Sequence, residues 1–193
     1  MGGHRRGAPM KKFSWFGALW LTRFSKPAGE RPIYRLIRGQ TPKRILELGL
    51  GTLERTARVL SFARSSGGDQ VHYVGLDRFE GRLPSDPPGV TLKAAHQRLT
   101  SLGRVQLVPG NVDTSLARLC NHLGVFDLVL VAADNDPRHL ERSWFFIQRL
   151  TNATTTVLVE TTDGAKAGTT VWKAIDKRRV DELAARTIQR RAA

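Results

Sequence analysis

From residue 44 onward, apolar runs of strand length at 44–48, 71–76, 105–108, 126–131 and 155–159 alternate with helix-like segments at 53–64, 91–102, 114–123 and 137–150. A short run that is apolar on both sides suits a strand covered on both faces. Parallel neighbours then need long connections, which the amphipathic segments supply as helices. The pattern predicts an α/β domain of doubly wound type: a mainly parallel sheet with helices on both faces. Right-handed crossovers leave few topologies for it. The stretch 81–89, which holds Pro84, Pro87 and Pro88, must be a loop after the second strand.

The ends differ from this core. The chain has 193 residues, a length that suits one domain with extensions. Residues 1–12 are rich in Gly and basic side chains and read as a disordered leader. Residues 13–43 form an N-terminal helical segment, with Phe13, Phe16, Trp20 and Phe24 at helical spacing, and the Rossmann-like domain fills 44–193. No apolar stretch approaches the roughly 18 residues of a membrane span. The single cysteine, Cys120, excludes an internal disulfide and a zinc site of several thiolates, which suits the cytoplasm. The net charge of +14 splits into +10 over residues 1–44, +4 over 173–193 and zero between them. Basic ends of this kind bind a nucleic acid such as RNA through counterion release, or simply form a solvated basic surface. Residues 171–191 read mainly as a basic helix, with Val171, Ala174, Ile175, Leu183 and Ile188 as apolar points. A C-terminal hairpin is then shortened or absent, and the bare sheet edge calls for a covering helix or a homodimer partner.

Ligands of open sheets bind outside the carboxyl ends of the strands. The first strand runs through Glu47 into Gly49-Leu50-Gly51-Thr52 and then a helix, a turn that lets a ligand approach the backbone. A dinucleotide fingerprint needs a small residue at 54, where the chain has Glu54, so NAD and FAD are disfavoured. Glu47 suits a ligand carrying an ammonium group. Asp77, at the end of the second strand, suits two ribose hydroxyls. The structural alternatives are an Arg partner for Glu47 and a helix N-cap role for Asp77.

These residues resemble a known family. Residues 44–52, Arg-Ile-Leu-Glu-Leu-Gly-Leu-Gly-Thr, are similar to the first motif of class I S-adenosylmethionine-dependent methyltransferases. Tyr73-Val74-Gly75-Leu76-Asp77 resembles their second-strand motif, Val108-Pro109-Gly110-Asn111-Val112 the third, and residues 126–131 the fourth strand. The resemblance spans roughly residues 30–160. It implies S-adenosylmethionine as cofactor, with Glu47, Gly49 and Gly51 at its methionine end, Asp77 at the ribose, and Asn111 and Val112 at the adenine. Leu53 stands where a third glycine is common.

The nearest subgroup is the small O-methyltransferase type, which takes a divalent metal from carboxylates after the fourth and fifth strands. Here the corresponding run is Ala132-Ala133-Asp134-Asn135 and the pair falls at Thr161-Thr162, so alanine, which offers no ligand, and threonine hydroxyls, which are weak ones, stand where a hard cation needs carboxylates. No metal is therefore expected. Asp134 is the candidate catalytic residue, within an Asp134-Asn135-Asp136-Pro137 run that also reads as an ordinary helix start. His139 is a possible general base. The expectation is a metal-independent methyltransferase with an acceptor the sequence does not name. The alternatives are a catalytically silent relative that keeps the cofactor pocket, or an RNA-modifying or RNA-binding protein using the basic termini.

Overall fold

The computed structural model describes residues 28–67, 71–162 and 169–192. The leader 1–12 and the aromatic stripe at Phe13–Phe24 lie outside the described residues. Six strands form one sheet in the order β3-β2-β1-β4-β5-β6. These are β1 (Arg44–Leu48), β2 (His72–Asp77), β3 (Arg104–Pro109), β4 (Leu128–Val131), β5 (Thr156–Thr162) and β6 (Thr170–Ile175). The first five are parallel and β6 runs antiparallel to β5.

Alternation along each strand supplies two cores, one per face. Ile45, Tyr73, Leu128, Leu130 and Trp172 meet α1 (Arg31–Gln40), α2 (Glu54–Gly67) and α3 (Leu92–Leu99) on one side. Leu46, Leu48, Val74, Leu76, Val129 and Val131 meet α4 (Val112–Leu123), α5 (Pro137–Arg149) and α6 (Lys177–Ala192) on the other. Helix α1 gives fully buried Ile33, Tyr34 and Ile37 to the first core, so the body of the domain begins before residue 44.

The C-terminal region corrects one expectation. Val171, Ala174 and Ile175 belong to strand β6 rather than to a helix, and the helix begins only after Asp176. The physical reason is local. Thr169-Thr170-Val171-Trp172 is β-branched and aromatic, which favours a strand. The Asp176 carboxylate then accepts the Arg179 N–H at 2.7 Å and caps the first helical turn. A hairpin is thus present, as β5 and β6. Its outer strand is met by the chain's own turn at Ala28–Glu30, where Gly29 lies against Thr170. Covering of the edge by the same chain removes the reason for seeking a second copy at that point.

A Cβ on Gly29 would sit 2.0 Å from the Thr170 carbonyl oxygen, backbone against backbone. Gly29→Ala is expected to cost about 1–3 kcal/mol, the range for overpacking. Urea unfolding measures this, and an unchanged midpoint would contradict the close approach.

Candidate functional site

The carboxyl ends of β1, β2, β3 and β4 surround a crevice. Gly49, Asp77, Arg82, Asn111, Val112 and Asp134 line it, together with Asn135, Asp136 and His139. Gly49 (φ +85°), Gly51 (φ +55°) and Gly110 (φ +123°) turn the chain at its rim in a backbone region that favours glycine. A Cβ on Gly49 would fall 2.4 Å from Asp134 Oδ1, so only glycine lets β1 and the turn after β4 meet here. Leu53 adopts φ +66° with a fully buried side chain, a strained position held by packing.

Asp77 is the most heavily bonded group of the crevice. Its carboxylate accepts the Leu50 N–H at 2.7 Å, the Gly51 N–H at 3.2 Å and the Phe79 N–H at 2.9 Å. Arg82 adds donors at 3.1 and 2.6 Å. Burial opposes ionisation of Asp77, but the Arg82 hydrogen bonds and the Phe79 and Leu50 amides outweigh it and hold the carboxyl below its ordinary range. Arg82 also reaches Asp134 Oδ2 at 3.1 Å and the Pro87 carbonyl at 2.9 Å. Its guanidinium thus fills the space between the two carboxylates, and the remaining cavity is about 20 Å³, room for roughly one water.

Glu47 lies elsewhere. It is fully buried beneath the crevice and does not line it. Its carboxylate accepts Arg55 Nε at 2.8 Å, Thr56 Oγ1 at 3.0 Å and the Tyr73 hydroxyl at 2.7 Å. Arg55 Nη2 meanwhile donates to the Gly49 carbonyl at 2.6 Å. The guanidinium also faces Glu160 at 3.5 Å and lies 5.0 Å over the Trp172 ring. Burial and the neighbouring Glu47 push the Tyr73 hydroxyl well above its ordinary range, so it stays protonated and donates to Glu47. The expected contact between Glu47 and a ligand's ammonium gives way to this internal cation, because Arg55 occupies both Glu47 and the Gly49 carbonyl.

The other predicted residues come together. Asn111 begins α4 without using its side chain as a cap, and Val112 follows it into the crevice wall. Asp136 does cap α5, accepting the Arg138 N–H at 2.8 Å. His139 Nδ1 lies 2.8 Å from the buried Asp113 carboxylate. Asp134 Oδ1 is buried and, among the described residues, without a hydrogen-bond partner. Ala132 is buried where β4 ends, while Thr161 and Thr162 stand on β5. Among the described residues no group of three or more His, Cys, Asp or Glu side chains could hold a metal ion.

No protein-family model and no curated protein matches the sequence. Solved structures do match. An O-methyltransferase of tomaymycin synthesis, TomG from Streptomyces achromogenes in complex with SAM, aligns with a TM-score of 0.54 at 18% identity, over 89% of this chain and 74% of that one. The O-methyltransferase from Bacillus cereus in complex with SAH aligns with a TM-score of 0.54 at 20% identity, over 86% and 69%. The fold is the class I S-adenosylmethionine-dependent methyltransferase fold.

Within this fold, Arg55, Arg82, Tyr73 and Asp113 shape the site although the sequence did not single them out. Arg55 and Thr56 are one helical turn past the glycine turn, a spacing that brings them back over β1. Arg82 sits in the loop after β2, where no periodicity fixes a side chain's direction.

Glu47 as a structural anion has a direct consequence. Glu47→Gln leaves Arg55 buried with less counter-charge and is expected to destabilise the ligand-free chain by about 3 kcal/mol. Denaturant unfolding reads this, and full stability in the variant would show that Glu47 is not needed to hold the floor together.

Proposed function

We propose that the chain is an S-adenosylmethionine-dependent methyltransferase whose cofactor enters the crevice at Gly49 and Asp77. One observation carries this: a single crevice at the strand ends gathers Gly49, Asp77, Asn111, Val112 and Asp134. The fold and the neighbours crystallised with SAM or SAH support the same ligand.

The side chains fit such a ligand in chemistry. Asp77 offers a carboxylate at the ribose position, Asn111 a free amide at the base position, and the glycine turn a close approach to backbone. Asp134 Oδ1, buried without a partner, is an acceptor that a bound donor would satisfy. The space, however, belongs to Arg82 in this arrangement, so entry requires that side chain to leave Asp77 and Asp134. The loop from Arg82 to Gly89 holds Pro84, Pro87 and Pro88 and carries few bonds to the rest of the domain beyond those of Arg82 and Asp86.

When bound, the cofactor supplies a methyl group already activated on a sulfonium. The protein then needs mainly to hold the acceptor in line and to exclude water. Asp134 is the proposed catalytic residue, its free oxygen taking a hydrogen bond or proton from the acceptor. The acceptor site lies by the turn 134–139. Metal independence belongs to the proposal and rests on Ala132, Thr161 and Thr162, which replace the carboxylates of the metal-using type. Cytoplasmic residence rests on the lone buried thiol of Cys120. Among the described residues no helix is long and apolar enough to cross a membrane.

A second reading, a catalytically silent relative, is favoured by the guanidinium of Arg82 standing between Asp77 and Asp134. The nucleic-acid reading draws less from the described residues. On α6, Lys177 pairs with Asp181, Arg178 and Arg179 with Glu182, and Arg190 with Glu141 of α5, so much of the basic helix is paired with acids of α6 and α5.

Calorimetric titration with S-adenosylhomocysteine tests the assignment. Asp77→Ala is expected to weaken binding by about 1.5–3 kcal/mol, the loss of a charge-assisted hydrogen bond. Arg82→Ala is expected to tighten it, since the competing cation is gone. Binding that neither substitution alters would refute the site, as would no binding by wild type or by Arg82→Ala, whereas binding without any methyl transfer would favour the silent relative.

A further inference from the structure

We infer that the void at the amino ends of β1, β2 and β3, remote from the crevice, is a binding site for a small phosphorylated anion, with Arg104 and His72 as its direct donors. The parallel register places Arg44 opposite His72 and His72 opposite Arg104, so three basic side chains start three adjacent strands. His122 of α4 and Gln106 of β3 complete the wall. No carboxylate among the described residues lines the void, whose volume of about 460 Å³ falls in the range of small-molecule sites.

The three bases have different duties. Arg44 is committed to the fold: its Nε donates to the Val125 carbonyl at 2.8 Å, its Nη2 donates to the Leu123 carbonyl, and its guanidinium lies 5.2 Å over Phe126. It leaves behind a fixed positive charge. Arg44 Nη1 also stands 3.2 Å from His72 Nδ1, and a guanidinium can only donate. Nδ1 is therefore the acceptor, and the ring proton is carried on Nε2, free for an incoming oxyanion. Arg104 is exposed and makes no ion pair among the described residues. Its planar fork matches phosphate oxygens in pairs.

The electrostatics support this geometry. Burial, then Arg44 and Arg104, hold His72 below its ordinary value. The groups facing it are Arg44 on β1, Arg104 on β3 and His122 on α4, all basic. An anion seated among them would cancel that field and let His72 take up a proton on Nδ1, with the 3.2 Å contact to Arg44 giving way, so binding and proton uptake are linked. The sign is definite: phosphate binding strengthens as pH falls through the histidine range. A concave void with a few convergent donors suits a compact phosphorylated ligand better than a nucleic-acid strand, which tracks a basic stripe.

The experiment titrates inorganic pyrophosphate into the full chain, read by calorimetry and by the His72 ring resonances. The expected result is binding with proton uptake and a His72 titration that moves up toward the ordinary histidine value. Arg104→Gln should weaken it by about tenfold or more. The exposed control Arg178→Gln on α6 should change it by less than about twofold, as a distant screened charge does. Equal losses in both variants, or no movement of His72, would mean an adventitious ion only and would overturn the site. Single-stranded RNA displacing pyrophosphate with a steep salt dependence would overturn it too, in favour of a polyanion surface.

Discussion

A buried carboxylate ties the domain together. Glu47 carries its charge at the end of β1 with no exposure to water, and such a group persists only where every lone pair is met. Arg55 and Thr56 of α2 and the hydroxyl of Tyr73 on β2 meet it. Through Arg55 the same charge reaches Glu160 on β5 and the ring of Trp172 on β6. Glu47 and its partner Arg55 thus join β1, α2, β2, β5 and β6. The glycine turn stands on this base, because Arg55 also holds the Gly49 carbonyl.

The crevice above that base is preorganised and closed at once. Three backbone amides and a guanidinium fix the Asp77 carboxylate, so its direction is set before any ligand arrives. Asp134, held beside Gly49, shares the same Arg82 and keeps one oxygen unpaired. Arg82 therefore acts as an internal stand-in for a hydroxyl-rich ligand. It neutralises one buried and one half-buried acid, Asp77 and Asp134, that would otherwise repel across a narrow space. Its departure has an electrostatic cost, which a ligand must offset with hydrogen bonds of its own. Cofactor affinity is in this way coupled to the loop after β2.

Much of this was legible in the sequence. The strands on both sides of Glu47 and Asp77 announced themselves as apolar runs between amphipathic segments, since burial on two faces leaves no other pattern. Strand-end position pointed to Gly49 and Asp77, the family resemblance added Asn111, Val112 and Asp134, and all five line one crevice. Strand β6 was hidden because Val171, Ala174 and Ile175 fit a helical stripe as well as a strand, and only the Asp176 cap separates the two. Glu47 was left open between a ligand and an Arg partner for a different reason. An acid at a strand end looks the same in sequence whether it faces a ligand or an arginine eight residues on, and three-dimensional packing decides. Arg82 could not be read at all, as loop side chains follow no period.

The most direct test of the central claim is a crystal structure of the chain grown with S-adenosylhomocysteine. Ribose hydroxyls are expected on the Asp77 carboxylate, the base beside Asn111 and Val112, and Arg82 withdrawn from both acids. A ligand bound at another surface, with Arg82 still bridging Asp77 and Asp134, would contradict that claim.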